Sequence, residues 1–258
     1  MDRQQCGQVD DRRTEREGPS IALVLGSGGA RGLAHIGAIE ALEQAGVRIE
    51  SIAGSSMGAL VGGMYAAGKL DAYTEWVRTL EQSDVFRLVD WTLSGGGLIR
   101  GDRIINRLRQ MVGDVRIEDL NIDFTAVAVD IEQGRELWLS SGSLFDAIRG
   151  SIAIPGLFTP HRHRGRLLVD GGILNPVPVA PTLRSLSDLT VVINVNGNPE
   201  NVPVRGKRVT PPAPPADGDD GDQGMMERVR RFFNGLIERD DGDDEPGLVA
   251  MLMKSLET

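Results

Sequence analysis

Cysteine, histidine, lysine and aromatic residues are all scarce in this 258-residue sequence. The one cysteine, Cys6, lies in a polar leader and cannot close an internal disulfide, so the chain reads as disulfide-independent and cytoplasmic. Lysine occurs only at Lys69, Lys207 and Lys254, which leaves arginine as nearly all of the positive charge. That charge is itself in deficit: 28 Lys+Arg against 37 Asp+Glu gives a net charge of −9. A nucleic-acid binder needs a basic face for phosphate, so that class is set aside, and attraction to anionic lipid is weakened as well. No run approaches the roughly 20 apolar residues that span a bilayer. Residues 1–18 are charged throughout and lack an apolar centre, so they do not form a signal peptide and are expected to be a disordered leader. The expectation is a soluble chain.

What is present is an ordinary globular balance, 40% hydrophobic and 25% charged, with an excess of glycine at 33 residues. The length fits one large α/β domain, placed at 19–200. IALVL (21–25) is a short apolar run ending in glycines, as a buried parallel strand does. A helical pattern through Leu33, Ile36 and Leu42 follows and stops at Gly46. A second strand at Ile49–Ala53 and a second helix at Met57–Ala67 repeat the grammar of a parallel sheet with helical crossovers. Further on, helices are predicted at Ala72–Leu80, Asp102–Met111 and Phe145–Gly150. Strands are predicted at 124–131, 135–142, 167–172 and 190–195. The glycine-broken stretch 84–100 is read as a loop. Residues 201–224 have a Pro/Gly/Asp linker composition, and 225–258 carry two short helical patterns.

Three stretches carry candidate chemistry. Gly54-Ser55-Ser56-Met57-Gly58 is a G-x-S-x-G between strand and helix. There a serine sits on a tight turn above the sheet edge, and the glycines Gly54 and Gly58 allow the bend. The alternative is a plain strand–helix turn that needs small residues. Gly26-Ser27-Gly28-Gly29-Ala30-Arg31-Gly32 follows the first strand, and successive glycine amides at a helix start form an anion nest. A dinucleotide fingerprint would want an acidic residue at the end of the second strand, and Gly54 and a serine stand there instead. In neighbouring parallel strands both loops emerge at one edge, so the Gly28 and Gly29 amides can face Ser56 as an oxyanion hole.

A serine nucleophile needs a base. Of the three histidines, His35 falls one turn into the first helix, where a structural role is the stronger reading. His161 and His163 precede Asp170, so in the Ser…Asp…His order of α/β-hydrolases only an earlier acid such as Asp130 or Asp146 could serve, which makes a poor triad. Asp170-Gly171-Gly172 offers another route. It ends the strand LLVD, so in a parallel sheet its carboxylate reaches the same edge as Ser56 and can take the hydroxyl proton directly. Such an aspartate must be desolvated to bind a proton well, since its ordinary pKa lies near 3.9. Taken alone, Asp-Gly-Gly reads more readily as a turn.

Together these stretches resemble the patatin-like phospholipases, the bacterial members in particular. The likeness runs through LVLGSGGARGLAHIGAIEALEQAG, IAGSSMGALVGGMYAAG, GGLIRGDRI, SIAIPGLFTP and LVDGGILNPVPV, roughly Ile21–Val195. It implies a three-layer α/β/α fold with a mostly parallel central sheet. It also implies a Ser56–Asp170 dyad, with Gly28 and Gly29 as oxyanion donors and Gly26, Arg31, Gly32, Gly54, Gly58, Gly171 and Gly172 shaping the loops. The activity implied is hydrolysis of lipid or lysolipid esters through an acyl-serine, with no metal or other cofactor and with transient contact at a membrane surface. Two other readings stay open: a catalytically silent lipid-binding or regulatory member, and a His-dependent serine esterase. Arg31 is read either as shaping the loop and attracting an anionic head group or as a surface charge. The 84–100 loop, with Phe86 and Trp91, and Ile154, Leu157 and Phe158 are candidates for an acyl groove or lid. Ser27 departs from the family, standing where many members have glycine. The family also generally continues past a helix resembling Pro246–Leu256, so a short or truncated member is expected.

Overall fold

The computed structural model describes residues 18–80 and 97–197. The expected leader, the 84–96 part of the glycine-broken loop, the 201–224 linker and the two C-terminal helices lie outside the described residues. The core of the described chain is a seven-stranded sheet. Its strands are β1 (Ser20–Leu25), β2 (Arg48–Ser55), β4 (Asp123–Asp130), β5 (Arg135–Leu139), β7 (His161–His163), β8 (Arg166–Asp170) and β9 (Leu189–Ile193). A separate parallel pair joins β3 (Gly97–Ile99) to β6 (Gly156–Phe158).

Strands β9, β1, β2 and β4 are parallel neighbours, as the short apolar runs and intervening helices predict. The sheet is also partly antiparallel: β5 and β8 both oppose β4, and β7 opposes β8. A strand has two edges, and β4 uses both. It pairs with β5 along Ala126–Asp130, with β2 along Asp123–Val127 and with β8 along Ala128–Asp130. Because β5 holds one edge of β4 along Ala126–Asp130, where β2 and β8 both also pair, those two strands share the other edge, lying end to end on a single track. From one side β2 ends at Ser55, opposite Val127; from the other β8 ends at Asp170, opposite Ala128. Two strands of opposite direction therefore meet head-on beside β4.

This corrects one expectation. Asp170 does not reach Ser56 by ending a parallel strand at a common edge. It does so because a five-residue antiparallel strand stops where β2 stops. The expected 167–172 strand likewise ends at Asp170, and Gly171–Ile173 forms a 3₁₀ turn.

Among the described residues the α-helices are α1 (Ala34–Gln44), α2 (Met57–Ala66), α3 (Leu70–Thr79), α4 (Asp102–Val112) and α5 (Leu144–Ser151). The path β1 to β2 to β4 moves across the sheet in one direction, and right-handed crossovers put the intervening helices on one face. Leu23, Leu25, Ile52, Ala126, Ala128 and Leu168 from the sheet join Ile39, Val61, Met64, Leu108 and Ile148 from the helices in one core. Each fully buried Leu, Ile, Val or Met there contributes about 1.5–3 kcal/mol. The α2 helix lies especially close to the sheet, because a Cβ at Gly62 would stand 2.8 Å from Ile52 Cγ2. From β8 the chain returns to β9 through residues 171–188, which pack on the sheet as a further layer. That layer contains the 3₁₀ turn Ala180–Arg184, packed over β1 and β2, and it leaves Leu183 and Leu186 exposed. None of the described helices is long and apolar enough to cross a membrane.

Candidate active site

Ser56 occupies the single residue between the end of β2 and the start of α2. Its backbone is at φ 55°, ψ −123°, a region that non-glycine residues rarely adopt and that costs about 1–3 kcal/mol. The neighbouring glycines make the turn sterically feasible. A Cβ at Gly58 would stand 2.1 Å from the Leu25 carbonyl oxygen, and one at Gly54 would stand 2.6 Å from Ala59 Cα. Both contacts are with backbone, so neither can be relieved by a side-chain rotation.

At the junction of the two abutting strands, Ser56 Oγ donates a hydrogen bond to Asp170 Oδ2 at 2.6 Å. The Gly172 amide donates to the other carboxylate oxygen, Oδ1, at 2.7 Å. Asp170 is fully buried and Ser56 nearly so. Burial is the largest influence on the carboxyl and pushes its pKa up to about 7, although the bonds from Ser56 and Gly172 pull the other way. Gly171 lets the chain turn tightly over β4: a Cβ there would stand 2.1 Å from the Val127 carbonyl oxygen and 2.7 Å from Ser55 Oγ.

The glycine loop lies against both partners. A Cβ at Gly32 would stand 2.4 Å from Met57 Cγ, and one at Gly172 would stand 2.9 Å from Ser27 Cβ. Within the loop, two amides are consumed structurally, Gly26 N–H by Ile193 O at 3.0 Å and Ser27 N–H by Pro176 O at 2.8 Å. The 3₁₀ turn Gly29–Leu33 begins beyond them, and an early bond of that turn runs from Arg31 N–H to Gly28 O at 3.0 Å. The Gly28 and Gly29 amides therefore precede that bond, at the electropositive start of the turn. Gly29 itself has φ +50°, which suits glycine. Arg31 is exposed on this turn.

His35 is completely buried beneath the loop, where its Nε2–H donates to the Gly26 carbonyl at 2.8 Å. Burial lowers its pKa, which keeps the ring neutral as a structural strut. His161 and His163 lie on β7, the outer neighbour of β8, and among the described residues no histidine is hydrogen bonded to Ser56 or Asp170. Ile154, Leu157 and Phe158 are buried, the last two on β6. Among the described residues no three His, Cys, Asp or Glu side chains are grouped to hold a metal ion.

One residue at the site was not singled out in the sequence. Ser151, the last residue of α5, is fully buried and accepts a hydrogen bond at Oγ from the Ser56 amide at 3.0 Å. Its stretch, SIAIPGLFTP, forms part of the resemblance, but a contact across 95 positions of sequence has no local signature.

A three-layer α/β/α protein with a serine turn at the end of a central strand is the class that fold and site define. Residues 23–183 match the patatin-like phospholipase family, and the chain belongs to that family. It is similar to an uncharacterized NTE family protein of Mycobacterium tuberculosis, 51% identical over 180 residues, covering 70% of this chain and 50% of the relative. It is also similar to the lysophospholipase nte1 of Emericella nidulans, 32% identical over 191 residues, covering 72% of this chain and 12% of the fungal protein. The chain thus spans about half the length of the mycobacterial relative. Among solved structures, VipD from Legionella pneumophila is similar at 18% identity and a TM-score of 0.40, covering 62% of this chain and 46% of that one.

Proposed function

We propose that this chain is a serine hydrolase of lipid or lysolipid esters, of the phospholipase or lysophospholipase type. Ser56 is its nucleophile and Asp170 its base. The observation that carries this reading is the 2.6 Å hydrogen bond from Ser56 Oγ to a fully buried carboxylate whose proton affinity burial has raised. A general base works best when its pKa lies near the working pH, and about 7 meets that condition.

In the proposed cycle, Ser56 Oγ attacks the ester carbonyl carbon while its proton passes to Asp170 Oδ2. The Gly28 and Gly29 amides stabilise the tetrahedral oxyanion, at about 2.7–4 kcal/mol per donor by comparison with other oxyanion holes. Collapse expels the alcohol, which takes the proton back from Asp170 and leaves an acyl-serine. Water then attacks the acyl carbon as Asp170 removes its proton, and the fatty acid leaves as Ser56 is reprotonated. The role of Gly172 is to hold the second carboxylate oxygen so that Oδ2 stays aimed at the serine.

Family membership and the lysophospholipase name of the fungal relative support a lipid ester as substrate. Such a substrate is reached by transient contact at a membrane or micelle surface. The test is hydrolysis of a p-nitrophenyl acyl ester and a panel of phospholipids and lysophospholipids. Ser56→Ala should lower turnover by more than about a thousandfold without changing the circular dichroism spectrum. Equal turnover by Ser56→Ala would remove the serine assignment, and an inactive wild type across the panel would favour a silent lipid-binding member.

A further inference from the structure

The head-on meeting of β2 and β8 leaves a seam in the sheet. Opposite it, the β4 ladder passes from one partner to the next between Val127 and Ala128. The Val127 carbonyl faces this seam, where it accepts a hydrogen bond at 2.6 Å from the Ser151 hydroxyl. Because that hydroxyl gives its proton to Val127, its lone pairs face the other way, where the Ser56 amide donates to it at 3.0 Å. Ser151 therefore bridges β4 to the backbone of the strained residue on the turn. Two residues further on, the Ala153 carbonyl accepts the Asp170 amide at 3.0 Å. One three-residue segment at the end of α5 thus holds the backbone of both Ser56 and Asp170. All of these groups are buried, so water is not at hand to replace a lost partner.

We propose that Ser151 is a positioning residue: its hydroxyl pins the Ser56 backbone to β4 at the strand junction and so keeps Oγ in line with Asp170. It touches neither of the reacting atoms. Its effect on turnover rests on the function proposed above, whereas its effect on the Ser56 backbone does not. Loss of the bridge should let the turn relax from φ 55°, and a misplacement of about 1 Å at a reacting group costs up to about a hundredfold in rate.

The test compares Ser151→Ala, Ser151→Cys and Ser151→Thr in the full chain, with two readouts. The first is steady-state hydrolysis of a p-nitrophenyl acyl ester. Ser151→Ala should lower kcat by about 10–100-fold with KM within about twofold, the cysteine variant should lose less, and threonine, which restores the hydroxyl, should recover most of the loss. The second is amide hydrogen exchange followed by NMR, which needs no activity. The Ser56 amide should exchange much faster in Ser151→Ala, regain protection in Ser151→Thr, and leave the β1 amides unchanged. A wild-type kcat in Ser151→Ala, or a Ser56 amide that stays protected in it, would overturn the proposal. General loss of β1 protection in all three variants would also overturn it, by showing a packing role only. If the wild type hydrolyses none of the esters, the function fails on its own and the exchange comparison still decides the role of Ser151.

Discussion

At the scale of single residues, the site depends on one carboxyl held away from water. Asp170 has no cation among its hydrogen-bond partners, only a serine hydroxyl and an amide, so desolvation dominates and its pKa rises from 3.8 to about 7. As a base it must be deprotonated, so kcat/KM should rise with pH and level off above an apparent pKa near 7. A pH–rate profile checks this, and below the inflection the rate should fall about tenfold per pH unit. His161→Ala and His163→Ala should leave that profile in place, because neither ring is hydrogen bonded to the dyad atoms. An inflection that moves with either histidine would point to the His-dependent esterase reading instead.

At the scale of elements, the site is a meeting of three chain segments forced close by glycine. Gly58 and Gly171 make the tightest of these contacts, and at Gly58 it is the Leu25 carbonyl that stands where a Cβ would be. Gly58→Ala should push α2 off β1, costing about 1–3 kcal/mol. Thermal melting should show a drop in Tm together with reduced turnover, and an unchanged Tm would mean that the strand–helix contact is looser than described. Much of this level was legible in the sequence. IALVL (21–25) and Ile49–Ala53 read as short strands followed by helical patterns, and Ser56 stands out because its G-x-S-x-G falls between the second strand and the second helix. The direction of β8 was not legible in the same way, because HRHRGRLLVD hides its hairpin among charged residues. The structure shows a two-residue hairpin turn there, with Arg164 and Gly165 both at positive φ, 48° and 78°, and Gly165 is the one turn-forming residue that marks it in the sequence. Read as a hairpin, those residues make β8 antiparallel to β7. The structural role of His35 was legible from its place in the first helix, but its Gly26 partner and the role of Ser151 were not, since each bond is set by the assembled fold.

At the scale of the whole molecule, folding places an aspartate where its charge is unfavourable. Below about pH 4 Asp170 is neutral in both the folded and the unfolded chain. From about 4 to about 7 the unfolded chain loses that proton while the folded chain keeps it, so stability falls across this window and is not regained above it. Asp170→Asn removes the ionisation but retains an acceptor for Gly172, so it should melt a few degrees higher than the wild type at pH 8 and no higher at pH 4. Scanning calorimetry at both values checks the sign, and a variant less stable than the wild type at pH 8 would refute the desolvation account. The same buried carboxyl is what the proposed chemistry uses, so activity and stability pull in opposite directions at this position. The central claim is tested most directly by treating the full chain with a fluorophosphonate and locating the adduct by mass spectrometry. The account predicts one phosphonylated residue, Ser56, with modification lost in Ser56→Ala and strongly slowed in Asp170→Asn; an adduct on another serine, or none on a folded chain, would contradict it.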